Sequence, residues 1–199
     1  MPTYFSIKPI EEILFKEKSS KFLGFAFPIQ NEDDIKNYLT QIKTKHPKAT
    51  HHCYAYRLGL DKNNFRMNDD GEPSGTAGKP ILGQIDSFSI TDCLVVVVRY
   101  FGGTKLGVSG LIQAYKECAK LTLSSTEIIE LKTLSYYKIN CDYEHLNRWY
   151  KIVEKFNLII IKQEISTNAT FEISIEEEKN MELETILSLE KIEFKKNIE

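Results

Sequence analysis

The chain has 199 residues, 42% of them hydrophobic and 27% charged, and a formal net charge of −2. That composition is ordinary for a globular protein and leaves room for one or two domains. It excludes a global electrostatic pull toward nucleic acid or anionic lipid, so any such binding must rest on a local patch. Residues 1–130 carry 16 Lys/Arg against 15 Asp/Glu, and residues 131–199 carry 10 against 13, which puts the more basic part first.

In chain order, residues 4–15 and 21–29 read as strands joined by a turn over Lys16–Lys21. Residues 31–46 read as a helix. Asn31 is its cap, Glu32, Asp33 and Asp34 favour its positive end, Ile35, Tyr38, Leu39 and Ile42 form one apolar face, and Pro47 ends it. His51–Gly59 reads as a strand, with a polar loop opening at Asp61. Pro80–Ser87 fits a short helix. The continuous apolar run of Cys93–Tyr100 predicts a fully buried strand. Ser109–Ser124 carries Leu111, Ile112, Ala114, Tyr115, Ala119 and Leu123 at helical spacing, with Ser109 as the expected cap.

Beyond Glu130 the chain has neither proline nor glycine. Leu134–Cys141 reads as a strand, Tyr143–Phe156 as a helix, Leu158–Ile165 and Ala169–Ile175 as strands, Lys179–Ser188 as a helix and Ile192–Lys196 as a last strand. That β-α-β-β-α-β order is the ferredoxin-like one. The expected organisation is an α+β N-terminal domain over 1–130 and a ferredoxin-like domain over 131–199.

Cys53, Cys93, Cys118 and Cys141 stand at wide, unequal spacings with no CxxC pair, which predicts reduced, buried thiols rather than a zinc site or a disulfide framework. The N-terminal MPTYFSIKPIEEI lacks the basic head and apolar core of a signal peptide. No apolar stretch approaches the roughly 20 residues that span a bilayer. The expected location is cytoplasmic, without membrane contact.

Eight of the ten glycines lie between Gly71 and Gly110. Seven of these fall in two blocks, DDGEPSGTAGKP (Asp69–Pro80) and RYFGGTKLGVSG (Arg99–Gly110), on either side of the buried strand, with Gly83 between them. The first block is not a P-loop: Pro73 occupies the position of the first glycine, and Lys79 is followed by Pro80. It is not an EF-hand, because a loop starting at Arg66 would end on Ala77 where glutamate is needed. Gly102, Gly103 and Gly107 do not have dinucleotide-fingerprint spacing. Asp69, Asp70, Gly71, Glu72, Pro73, Ser74, Gly75, Thr76 and Gly78 are expected to shape a loop. Asp69, Asp70 and Glu72 there could cap turns or hold a divalent metal, with turn-capping the favoured reading and no metal or cofactor assigned.

The second block leads into a helix start, where free N–H groups and the helix dipole favour an anion. Arg57, Arg99, Tyr100, Phe101, Gly102, Gly103, Lys105, Gly107 and Ser109 are the candidate ligand-binding residues. Arg99, ending an apolar strand, either pairs internally with Asp69, Asp70 or Glu72 or contacts an anion. His51 and His52 point to opposite faces of a strand and cannot chelate one ion together. With Asp70 they are the weak catalytic candidates, and no nucleophile elbow accompanies them.

HHCYAYR (His51–Arg57), DDGEPSGTAGKPIL (Asp69–Leu82) and VVRYFGGTKLGVSGLIQAY (Val97–Tyr115) together resemble the hallmark segments of the YigZ/Impact family. The resemblance extends over nearly the whole chain. Gln113 stands where the family pattern has arginine, and Ser109 where glycine is usual. The resemblance implies a two-layer N-terminal domain like domain IV of elongation factor G and a ferredoxin-like C-terminal domain like domain V. It also implies a link to translation, because eukaryotic relatives compete for a ribosome-associated activator of a stress kinase. The expected function is a regulator or accessory factor of translation that binds RNA, the ribosome or a translation-associated protein through the glycine-rich loop face. The alternative is a metal-assisted enzyme on a small phosphorylated or anionic ligand.

Overall fold

The computed structural model describes residues 3–61, 63–166 and 168–197. Met1 and Pro2 of the N-terminal reading, and Lys62 of the loop opened at Asp61, lie outside the described residues. The chain forms two compact units, Tyr4–Leu131 and the residues from Lys132 onward.

The first unit is built on an antiparallel five-stranded sheet of β2 (Ile10–Glu17), β3 (Ser20–Pro28), β4 (His51–Arg57), β5 (Phe65–Asn68) and β6 (Cys93–Tyr100), in the order β2-β3-β6-β4-β5. β6 is central, and Cys93 through Val98 are all fully buried. Alternate residues of a strand face opposite sides, so an unbroken apolar strand needs cover on both. Helices α2 (Gly78–Ser87) and α3 (Gly107–Ser125) pack with Cys93, Val95 and Val97 on one face. Helix α1 (Glu32–Lys45) packs with Leu94, Val96 and Val98 on the other, with Tyr38 stacked on Phe27 at 4.2 Å. The expected two-layer domain is therefore corrected to three layers, for the reason the valine run supplies.

Asn31 caps α1 as expected, its side chain accepting the Asp34 N–H at 2.9 Å. Three local readings change. The single strand over 4–15 is two, β1 (Thr3–Ile7) and β2, and β1 leaves the large sheet to pair with β7 (Ile128–Lys132). The loop after Asp61 contains the short edge strand β5. Helix α3 begins at Gly107 with Leu106 at its cap position, so Ser109 lies inside the first turn and caps nothing.

The second unit contains β8 (Leu134–Cys141), a 3-10 turn (Tyr143–His145), α4 (Leu146–Phe156), β9 (Ile159–Ile165), β10 (Ala169–Glu176), a second 3-10 turn (Glu177–Lys179), α5 (Asn180–Leu189) and β11 (Glu193–Asn197). Its antiparallel sheet runs β11-β8-β10-β9. The core joins Tyr137, Ile139, Phe171 and Ile173 to Trp149 of α4 and Leu183 and Leu187 of α5. Among the described residues no helix is long and apolar enough to cross a membrane.

Leu94 is fully buried under α1, and its truncation leaves a cavity between two rigid layers. Leu94→Ala is expected to lower the stability of the first unit by about 2–5 kcal/mol, read as a drop in the urea midpoint of the far-UV circular dichroism transition.

Candidate functional site

The two glycine-rich loops lie at the same end of the five-stranded sheet. Asp69–Ala77 connects β5 to α2, and Phe101–Leu106 connects β6 to α3. One buried ion pair joins them: Arg99 Nη1 donates to Glu72 Oε1 at 2.6 Å. Arg99 is 5% exposed and Glu72 8%. Of the two readings open for Arg99, the structure takes internal pairing. The guanidinium sits 5.5 Å from the ring centroids of Phe22 and Phe101 and reaches Ser20 Oγ at 3.4 Å. Its position follows from strand register, since Arg99 lies opposite Phe22 on β3 and His51 on β4.

Glu72 collects further donors. Tyr115 of α3 donates its hydroxyl to Oε1 at 2.8 Å, and His51 Nε2 lies 3.7 Å away. Burial pushes the Tyr115 phenol far up, and it remains a donor. Cys53 Sγ lies 3.3 Å from the Tyr115 oxygen and 3.0 Å from the Asp69 carbonyl. Burial pushes its thiol well above the ordinary range too. Cys53 is therefore held as a thiol, which is the wrong state for a nucleophile. Cys93 and Cys118, also buried, are pushed up to about 12.

The first block folds around Asp69. Its carboxylate accepts the N–H groups of Gly75 at 2.8 Å, Ala77 at 2.9 Å and Gly78 at 2.8 Å. Ala77 offers α2 no side-chain cap, so Asp69 supplies one from eight residues upstream and occupies the positive end of that helix. Burial raises the Asp69 pKa, but the three N–H bonds outweigh it and hold the carboxyl below its usual value. Asp70 turns elsewhere and accepts the His52 N–H at 2.6 Å. Thr76 closes the loop by donating its hydroxyl to the Pro73 carbonyl at 2.7 Å, while Pro73 and Ser74 are exposed. Asp69 and Asp70 thus accept backbone N–H groups, whereas Glu72 accepts from the Arg99 and Tyr115 side chains. Among the described residues no group of three or more His, Cys, Asp and Glu could hold a metal ion.

The histidines divide as strand geometry requires. His51 Nδ1 lies 2.7 Å from the Asp70 carbonyl, beside Gly71, whose φ of +88° a side chain would strain. His52 faces α1, with Nε2 3.1 Å from the His46 carbonyl.

The second block carries what is exposed. Phe101 is 47% exposed; Gly103, Lys105, Gly107 and Ser109 are on the surface. The first turn of α3 has no side-chain cap. Gly102 packs so closely that a Cβ there would lie 1.9 Å from the Ser19 carbonyl oxygen. Tyr100 points to the α1 face, where its hydroxyl meets His46 Nδ1 at 3.0 Å, so it and Phe101 do not form one stacking platform. Arg57 is not part of this site. It sits at the other end of β4, six residues and roughly 20 Å along the strand from His51, bound to Asp86. Ser20 and the hydroxyl of Tyr115 complete the buried network. Tyr115 carried one signal, a hydroxyl at an inward position of a mostly apolar helix face.

The sequence model of the Impact N-terminal domain matches residues 18–123, more than half of the chain and all of the segment that builds this network. The chain belongs to the IMPACT family. It is 33% identical over 177 residues to the IMPACT family member YvyE of Bacillus subtilis, covering 89% of this chain and 82% of that protein. It is 34% identical over 139 residues to the IMPACT family member YigZ of Escherichia coli, covering 69% and 66%. A crystal structure described as that of a hypothetical protein matches with a TM-score of 0.82 at 26% identity, covering 100% of this chain and 98% of that one.

Two outcomes are expected from this network. Glu72→Gln strands the buried Arg99 charge and should cost about 3–5 kcal/mol, whereas the Glu72→Gln/Arg99→Met double variant should lose less than the sum of the singles in a denaturant double-mutant cycle. Asp69 has a depressed folded pKa, so its stabilisation is present above the unfolded carboxyl pKa and is lost as pH falls through the folded one. A Tm-versus-pH series below about pH 5 should fall less steeply for Asp69→Asn than for the wild type.

Proposed function

We propose that this IMPACT-family protein is a regulator or accessory factor of translation, binding RNA, the ribosome or a ribosome-associated protein at the end of the sheet where its two glycine-rich loops meet. The observation that carries the reading is the Arg99–Glu72 pair. It ties the two loops to each other and to α3, so the exposed groups at that end are presented on a preformed surface and little ordering is needed on binding. Those groups are Phe101, Lys105 and the uncapped first turn of α3, an aromatic ring beside a cation and free N–H donors. Such a set suits an anionic, base-bearing partner. The family resemblance supplies the link to translation.

The same reading treats the second unit as ferredoxin-like, supported by its β-α-β-β-α-β order and its β11-β8-β10-β9 sheet. It treats the first unit as a counterpart of domain IV of elongation factor G with α1 covering the second sheet face, a likeness supported by the family alone. A domain boundary near residue 130 is part of this reading.

Co-sedimentation with ribosomes tests the function. The wild type should pellet with ribosomes at low salt and be released as salt rises, since phosphate contacts release counterions. Phe101→Ala/Lys105→Ala should pellet less while keeping its thermal stability. Absence of the wild type from the ribosome pellet at low salt would overturn the reading.

A further inference from the structure

The glycine-rich loops turn their strongest cation inward, and the charge left on the surface stands on the hairpin beside them. The β2–β3 turn has the sequence KEKSSK, Lys16 to Lys21. Lys16 and Lys21 lie directly opposite each other, and Lys21 lies opposite Tyr100 of β6. The three side chains therefore form one row on the α1 face, where Tyr100 bonds His46. Like charges directly across two strands are destabilising. Among the described residues neither lysine has an ion-pair partner. The acids nearest along β2, Glu11 and Glu12, are engaged by Lys45, and Glu17, opposite Ser20, points to the other face.

Lys18, at the tip, is a second unusual placement. Its φ is +44°, a left-handed conformation that glycine or asparagine adopts at lower cost in a two-residue hairpin turn. The hairpin is also pinned. Ser19 packs against Gly102, and Ser20 Oγ accepts from both Gly102 N at 3.3 Å and Arg99 Nη2 at 3.4 Å. Lys48 enters from the α1–β4 connection two residues before Thr50, whose hydroxyl accepts the Phe101 N–H at 3.1 Å. Lys16, Lys18, Lys21, Lys48 and Lys105 are all exposed.

We propose that this hairpin tip, with Lys48 and Lys105 at its margins, is a binding surface for the phosphate backbone of single-stranded RNA. The proposal rests on the translation reading above and moves the electrostatic contact from the glycine loops to the hairpin. An unrelieved pair of cross-strand lysines is satisfied by an anion that bridges them. A polyphosphate backbone fits better than an acidic peptide. Lysine point charges attract phosphates and carboxylates alike, and both arginines of the hallmark segments are bound to carboxylates, so what separates the two ligands is Phe101, because an acidic peptide brings no base to lie on its ring. The half-exposed Phe101 ring adds a face on which a base can stack.

The test compares wild-type protein, Lys16→Gln/Lys21→Gln and a control, Lys36→Gln/Lys120→Gln, in binding a fluorescent single-stranded RNA of about 15 nucleotides across a salt series. The hairpin variant should bind more weakly at low salt, and its slope of log K against log salt should be shallower by about 1.4, roughly 0.7 for each lost phosphate contact. The control should match the wild type, and unchanged circular dichroism spectra establish that all three are folded. RNA binding by the wild type with an unchanged slope in the hairpin variant overturns this surface and leaves the translation reading standing. No RNA binding by the wild type, with ribosome co-sedimentation retained, overturns the surface and leaves the translation reading standing. Loss of both overturns the two together. Displacement of the RNA by poly-glutamate at matched charge as effectively as by unlabelled RNA overturns the nucleic-acid assignment in favour of an acidic protein.

Discussion

The buried ion pair between Arg99 and Glu72 is the constraint around which the first unit is arranged. Two charges removed from water carry a large desolvation cost, which only good geometry and further hydrogen bonds offset. Here Glu72 accepts from both the Arg99 guanidinium and the Tyr115 hydroxyl. The pair brings together a strand end, a loop and a helix that are separated in sequence. For Glu72 to reach Arg99 the first loop must turn tightly beneath it, and the Asp69 carboxylate enforces that turn by gathering three backbone N–H groups. For Arg99 to point inward its strand must place it on the α2–α3 face, which the alternation of the Cys93–Val98 run dictates.

A charge committed to the interior cannot also read a ligand at the surface. At this end of the sheet arginine is structural and lysine faces solvent. That division follows from the side chains themselves. The planar guanidinium can satisfy Glu72, approach Ser20 and lie beside two aromatic rings at once, whereas an ammonium is a compact, strongly hydrated charge. The cysteines obey the same logic. Cys53 sits beside a histidine and a carboxylate, which on paper is a catalytic neighbourhood. Burial keeps it protonated and bound to a carbonyl, so it closes the network as a donor.

Much of the local structure was legible because it depends on neighbours in sequence. The Asn31 cap, the acidic first turn of α1 and the Cys93–Tyr100 strand each carry their reason within a few residues. What escaped depends on distant partners. Phe65–Asn68 has no strand pattern of its own and becomes one only by pairing with β4. Ser109 looks like a cap, yet α3 starts two residues earlier at Gly107. The direction of Arg99 could not be read from its own surroundings, because Glu72 lies twenty-seven residues away. Arg57 and Arg99, grouped by charge and by shared hallmark segments, proved to occupy opposite ends of the sheet. The valine run implied cover on both faces, and the two-layer expectation missed it because family likeness outweighed that periodicity.

The glycine clustering has a different meaning once the contacts are known. Gly102 is required because the backbone of Ser19 occupies the space a side chain would fill, and Gly71 because the chain turns through a left-handed conformation beside His51. In both places the close approach is of the protein to itself. Glycine-rich loops that cradle phosphate use the same physics, since small residues let a backbone come near and offer its N–H groups. In the first block those N–H groups are already taken by Asp69. What the fold leaves exposed at this end lies outside that loop, at Lys105 and the uncapped first turn of α3 and on the lysine-bearing hairpin whose Ser19 packs against Gly102.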